Sequence, residues 1–176
     1  MSILSRTKMA RVAALLGLLV MWTPLPLTVA GTAGKNSWRG ITPLHSSAQD
    51  VARLIGAEAD SSEALLSGPF KVDGGEVTFS YLTTSLARLY RAPRWMVGKV
   101  FTVYFKPGDS VTREELTLGA GFKRCVEDRD RTFYYFISEA GVAYRFLRDG
   151  DRLDTIIYQP SRAEVRSLAV NTQCVF

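Results

Sequence analysis

Val77-Thr78-Phe79-Ser80-Tyr81-Leu82 alternates apolar with small polar side chains, and Val142-Ala143-Tyr144-Arg145-Phe146-Leu147 repeats the alternation further along the chain. Alternation with a period of two marks a strand with one buried face. Working outward, Phe70-Lys71-Val72 and the turn Asp73-Gly74-Gly75 precede the first stretch, and Tyr135-Phe136-Ile137 with a turn at Glu139 to Gly141 precedes the second. Each set reads as a hairpin. One constant offset carries Val77, Phe79, Tyr81 and Leu82 onto Val142, Tyr144, Phe146 and Leu147. Third strands follow at Val100 to Phe105, ended by Lys106-Pro107, and at Leu153 to Tyr158, ended by Gln159-Pro160.

A helix is expected ahead of each hairpin. Ser46-Ser47-Ala48-Gln49 offers a capping box, Val51, Leu54 and Ile55 an apolar stripe, and Gly56 a left-handed stop. Pro107, Ser110 and Gly119 repeat the spacing of Pro43, Ser46 and Gly56 to within one residue, with Glu114, Glu115 and Leu116 between them. The expected fold is therefore α+β, with two tandem helix-plus-three-strand antiparallel meander units forming one compact domain. The lead-in is 31–42, the first unit 43–106 with an insertion at 83–96, and the second 107–176 with a C-terminal tail. Units this small do not bury a sufficient core alone, so they should share one. Residues of one parity, Val77, Phe79, Tyr81, Val103, Phe105, Val142, Tyr144, Phe146, Ile156 and Tyr158, should face inward. Thr78, Ser80, Thr102, Tyr104, Ala143, Arg145 and Ile157 make the other face, mixed enough to be solvated or to receive a partner.

The chain has 176 residues, 47% hydrophobic and 22% charged, which suits one domain and excludes a long multidomain enzyme. Two cysteines and one histidine do not make a zinc cluster of the usual ligand type. A Gly-rich phosphate loop, a His-Glu-x-x-His pair and a Gly-x-Ser-x-Gly elbow are all missing from the sequence. No cofactor, metal or catalytic residue is expected.

Arg6, Lys8 and Arg11 precede an apolar run from Val12 to Trp22, then come Pro24, Pro26 and small residues up to Ala33. That order is expected of a secretory signal peptide over 1–30, cleaved after Ala30 or Ala33. The run is too short for a transmembrane helix, so no stable membrane span is expected after cleavage. The leader takes three of the 22 basic residues and none of the 17 acidic ones, so the net +5 falls to +2. A nucleic-acid partner, which needs a strongly basic folded surface, is not expected. Export makes a periplasmic or secreted protein, where Cys125 and Cys174 form an even pair able to bond. Two separate buried thiols are the alternative.

The insertion departs from the repeat. It carries Arg88, Arg91 and Arg94 with Leu86, Leu89, Tyr90, Trp95 and Met96, and no acidic residue. Guanidinium groups beside Tyr and Trp suit phosphate, carboxylate or an aromatic-rich protein surface. Arg88, Tyr90, Arg91, Arg94 and Trp95 are thus the candidate binding residues, with Tyr104 and Arg145 of the open sheet face as the second group. Leu86 and Leu89 should be buried as the anchor of the segment. The competing reading has apolar residues capping the sheet end beneath solvated arginines. His45 reads as a loop side chain, Glu127, Asp128 and Asp130 as a charged loop neutralised by Arg129 and Arg131, and Asp149 to Asp154 as a tight turn rather than a calcium loop.

Trp38-Arg39-Gly40-Ile41-Thr42-Pro43-Leu44-His45-Ser46, followed by Asp50-Val51 and Leu54-Ile55-Gly56, resembles the opening of a group of exported bacterial proteins of uncharacterised function. More distantly, helix, glycine and antiparallel meander resemble the SmpA/OmlA-type outer-membrane lipoproteins and the tandem-repeat β-lactamase inhibitors. The resemblance implies binding to other proteins rather than catalysis. The expected function is an exported, non-catalytic interaction module of the bacterial envelope, meeting an envelope protein or an anionic envelope component. A carrier of a small or lipid-like ligand between sheet and helices is the alternative, and a hydrolase the third.

Overall fold

The computed structural model describes residues 36–56, 67–126 and 133–167. The expected signal peptide, Cys174, and Glu127, Asp128, Asp130 and their flanking arginines Arg129 and Arg131 lie outside the described residues.

Helix α1 (Ala48–Ile55) starts one residue later than the capping reading placed it. Ser47 is the cap: its hydroxyl accepts from the Asp50 amide, and the Asp50 carboxylate accepts from the Ser47 amide at 2.8 Å. A carboxylate is a stronger acceptor than the Gln49 amide and complements the positive end of the helix, which decides the register. The Ser47 amide and hydroxyl hold the Asp50 carboxyl below its ordinary value. Ser46 works inside the preceding turn, where its hydroxyl accepts from the Thr42 amide at 3.0 Å. Gly56 ends the helix in the left-handed conformation, as expected.

The strands are β1 (Phe70–Val72), β2 (Gly75–Tyr81), β3 (Val100–Pro107), β4 (Phe122–Val126), β5 (Phe133–Ser138), β6 (Val142–Leu147) and β7 (Arg152–Tyr158). They form one antiparallel sheet in the order β1-β2-β3-β7-β6-β5-β4. Helix α2 (Thr84–Leu89) and a 3-10 turn (Arg94–Met96) lie between β2 and β3, and α3 (Arg162–Ser167) follows β7. Fold class α+β is therefore correct.

All ten residues assigned to the inward face lie in or against two core clusters. Val77, Phe79, Tyr81 and Val103 pack with Trp38, Ile41 and Val51. Val142, Tyr144, Phe146 and Ile156 pack with Leu116, Tyr134 and Leu153. Phe105 and Tyr158 touch both clusters, so the two halves share one core. Burial pushes the Tyr158 phenol up to about 12, with Tyr144 adding to the effect. The join is the β3–β7 pairing, with Val103 opposite Tyr158, Tyr104 opposite Ile157 and Phe105 opposite Ile156.

The expected second helix is absent from residues 107–121, and among the described residues the second half has four strands rather than three. The backbone there is engaged by the sheet instead. The Leu153 amide donates to the Val111 carbonyl at 2.8 Å and the Arg113 amide to the Asp151 carbonyl at 3.0 Å. A single turn forms where the Glu115 carboxylate accepts from the Thr112 amide, but Thr117, Gly119 and Gly121 give it nothing to propagate into. Val111, Leu116 and Leu118 cover this half of the core, as α1 covers the other.

Two glycines let the hairpin turns meet the neighbouring strand. A β-carbon on Gly75 (φ +155) would overlap the Lys106 carbonyl oxygen, and one on Gly141 (φ +90) the Gln159 carbonyl oxygen. Both turns need the missing side chain for close approach as well as for backbone freedom.

Candidate contact surface

The insertion is a closed excursion from the sheet. The Leu82 amide donates to the Lys99 carbonyl at 2.8 Å, and the Gly98 amide donates back to the Leu82 carbonyl at 2.9 Å. Thr83 caps α2, its hydroxyl accepting from the Leu86 amide at 3.2 Å. The helix ends after six residues by a two-bond lock, Ala92 amide to Ala87 carbonyl at 2.8 Å and Arg91 amide to Arg88 carbonyl at 3.2 Å. This is a Schellman ending, whose first residue past the cap must take the left-handed conformation usually given to glycine. Here that residue is Arg91, at φ 52.

Beneath the excursion, Leu44, Leu82 and Ala87 are buried, and Leu86, Tyr90, Met96 and Phe101 pack against them. The Tyr90 ring stacks on Phe101 with centroids 5.3 Å apart. Tyr90 is thus part of the support. Leu89, expected to be buried, is 70% exposed, because Leu86, Ala87 and Tyr90 occupy the inward side of so short a helix. Trp95 is 68% exposed and Val97 39%, and Arg88, Arg91 and Arg94 are exposed beside them. Among the described residues no carboxylate pairs with any of these three arginines.

The second candidate group behaves differently. Tyr104 is 36% exposed on the sheet face opposite α1. Arg145, on the same face, is engaged: its Nε donates to Asp154 Oδ2 at 2.7 Å, its terminal nitrogen to that oxygen and to Thr155 Oγ1, and its guanidinium lies 4.7 Å from the Phe133 ring centroid. Burial opposes ionisation of Asp154, yet the Thr155 hydroxyl and Arg145 prevail and hold its carboxyl below the ordinary value. Around them Cys125, Tyr135, Ala143 and Ile157 are buried, so this face is less open than the alternation suggested. Arg145 is a structural cation there. Asp154 is taken by it, and among the described residues no group of three potential ligands could hold a metal ion.

The sequence does not disclose a second feature, the clasp between His45 and Glu164. His45 Nε2 lies 2.9 Å from Glu164 Oε1, tying the turn before α1 to α3, while the His45 carbonyl accepts from Lys99 Nζ at 3.0 Å. Glu164 also closes a capping box with Ser161. Burial raises the Glu164 carboxyl, but Ser161 and His45 more than offset this and hold it below the ordinary range.

The chain matches no family model, no curated protein and no solved structure.

Proposed function

We propose that the protein is an exported, non-catalytic interaction module of the bacterial envelope, and that the excursion between β2 and β3 is its contact surface. The observation that carries the reading is the exposure of Trp95 and Leu89 among three arginines that no carboxylate pairs among the described residues, on a base locked by hydrogen bonds. Tryptophan and arginine are among the residue types that dominate binding energy at interfaces. Arg91 in a left-handed conformation adds to this, since such a cost persists where a side chain is needed.

The architecture we infer is a duplication around the β3–β7 seam. If Val103, Tyr104 and Phe105 correspond to Ile156, Ile157 and Tyr158, the observed pairs exchange partners with their own equivalents. Two copies related by a twofold axis through Tyr104 and Ile157 would produce that register. The excursion interrupts only one copy, so the contact surface is single. Export and removal of residues 1–30, and a Cys125–Cys174 bridge, belong to the same reading, as does kinship with the exported families that the Trp38–Ser46 stretch resembles.

Photo-cross-linking in the living host tests it. A benzophenone amino acid at position 95 should give a discrete adduct, reduced when Arg88, Arg91 and Arg94 are all replaced by Gln, whereas position 114 on the opposite covering loop should not. Equal labelling at both positions would refute the assignment.

A further inference from the structure

We infer that the excursion docks on an anionic lipid surface, with Trp95, Leu89 and Val97 entering the headgroup boundary and Arg88, Arg91 and Arg94 meeting lipid phosphates. This rests on the excursion being the contact surface and names what it meets. The first argument is charge complementarity: from Val77 to Gly108 the chain has no Asp or Glu but has Arg88, Arg91, Arg94, Lys99 and Lys106. Lys99 donates to the His45 carbonyl and Lys106 lies in the field of Asp154, which leaves the three arginines to act outward.

The second argument is how those groups are held. Recognition of one carboxylate by a guanidinium fork needs the fork fixed, as Arg145 is fixed by Asp154 and Thr155. Among the described residues no side chain orients Arg88, Arg91 or Arg94. Their charges sit on three separate elements, the helix, the left-handed residue after it and the 3-10 turn. Such spread suits a plane of many phosphates better than a single acceptor. Trp95 and Leu89 stand among the arginines on a supported base, the mixture by which peripheral segments sit in a bilayer interface.

The test uses protein isolated from its host and vesicles of phosphatidylcholine and phosphatidylglycerol at about 3:1, against phosphatidylcholine alone. Trp95 emission should shift to the blue and be quenched by brominated acyl chains, a response that Trp95→Phe removes. Replacing the three arginines with Gln should weaken vesicle association by roughly 100-fold, since each basic group near an anionic surface contributes about fivefold. Replacing them with Lys should preserve association, because a lipid surface reads charge and not the guanidinium fork, and this variant also guards against misfolding. Three results would overturn the inference: equal response on phosphatidylcholine alone, a Lys variant as weak as the Gln variant, or a position-95 adduct of protein mass with no vesicle response. The last would leave the contact-surface reading standing and point to an acidic protein. Absence of any adduct at position 95 would remove the contact-surface reading itself.

Discussion

Replacing Arg91 with Gly should make the protein more stable and bind less well. Arg91 holds a left-handed backbone (φ 52) at the residue where the ending of α2 demands it. A residue with a β-carbon pays about 1–2 kcal/mol there, which glycine does not. Glycine gives back about 0.5–1 kcal/mol through the greater freedom of the unfolded chain. The net gain is about 0.5–1 kcal/mol, a rise in Tm of about 1–4 °C for a chain of this size. Arg91→Ala separates backbone from charge: it keeps the β-carbon, so the backbone cost remains and stability should stay within about 0.5 kcal/mol of the parent. Calorimetric melts of the three proteins measure the stability, and vesicle association measures the charge, which both variants should weaken about fivefold. A lower Tm for Arg91→Gly, or an equal rise for Arg91→Ala, would refute the reasoning about the helix ending. Stabilisation with unchanged association would show that Arg91 is dispensable to the contact.

Phe79 and Phe146 are both almost wholly buried, so replacing either with Ala should cost about 3–5 kcal/mol in urea unfolding, and the two losses should be similar. The Glu164 carboxyl is held below its ordinary value, so it stabilises the fold in full above the unfolded value near 4.5 and loses that contribution as pH falls through the folded value. Glu164→Gln should therefore flatten the acid limb of a Tm-against-pH curve below about pH 5, while a curve parallel to the parent would dismiss the clasp as a stabilising contact. Non-reducing peptide mapping of envelope-derived protein should link the Cys125 and Cys174 peptides, with two freely alkylated thiols as the contrary result.

Local pattern was legible where neighbours in sequence decide the outcome. The alternation of Val77, Phe79 and Tyr81 with Thr78 and Ser80 was enough to assign a buried face, because strand geometry sends successive side chains to opposite sides. The helix expected between Ser110 and Gly119 failed because the Val111 carbonyl and the Arg113 amide are taken by Leu153 at the start of β7 and by Asp151 just before it, partners no window of sequence contains. Arg145 looked like a free cation for the same reason: Asp154 and Thr155 reach it across the β6–β7 pairing. Arg91 hides its conformation because the usual marker of a left-handed helix ending is glycine, and the His45–Glu164 clasp joins residues from opposite ends of the domain.

The excursion itself was legible as a long polar and apolar stretch between two strand patterns, and its length has a structural consequence. If the two halves are copies as proposed, a feature common to both would occur on each side of the β3–β7 seam. No segment like Thr83 to Gly98 lies between β6 and β7, which are joined through the short turn Asp149–Asp151. The excursion holds the exposed Leu89, Trp95 and Val97 and three arginines that no carboxylate pairs among the described residues, and it packs on a cluster separate from the two that flank the seam. A fold divided in this way can alter these exposed residues at little cost to stability, because the support of Leu44, Leu82 and Ala87 is separate from the residues that face outward.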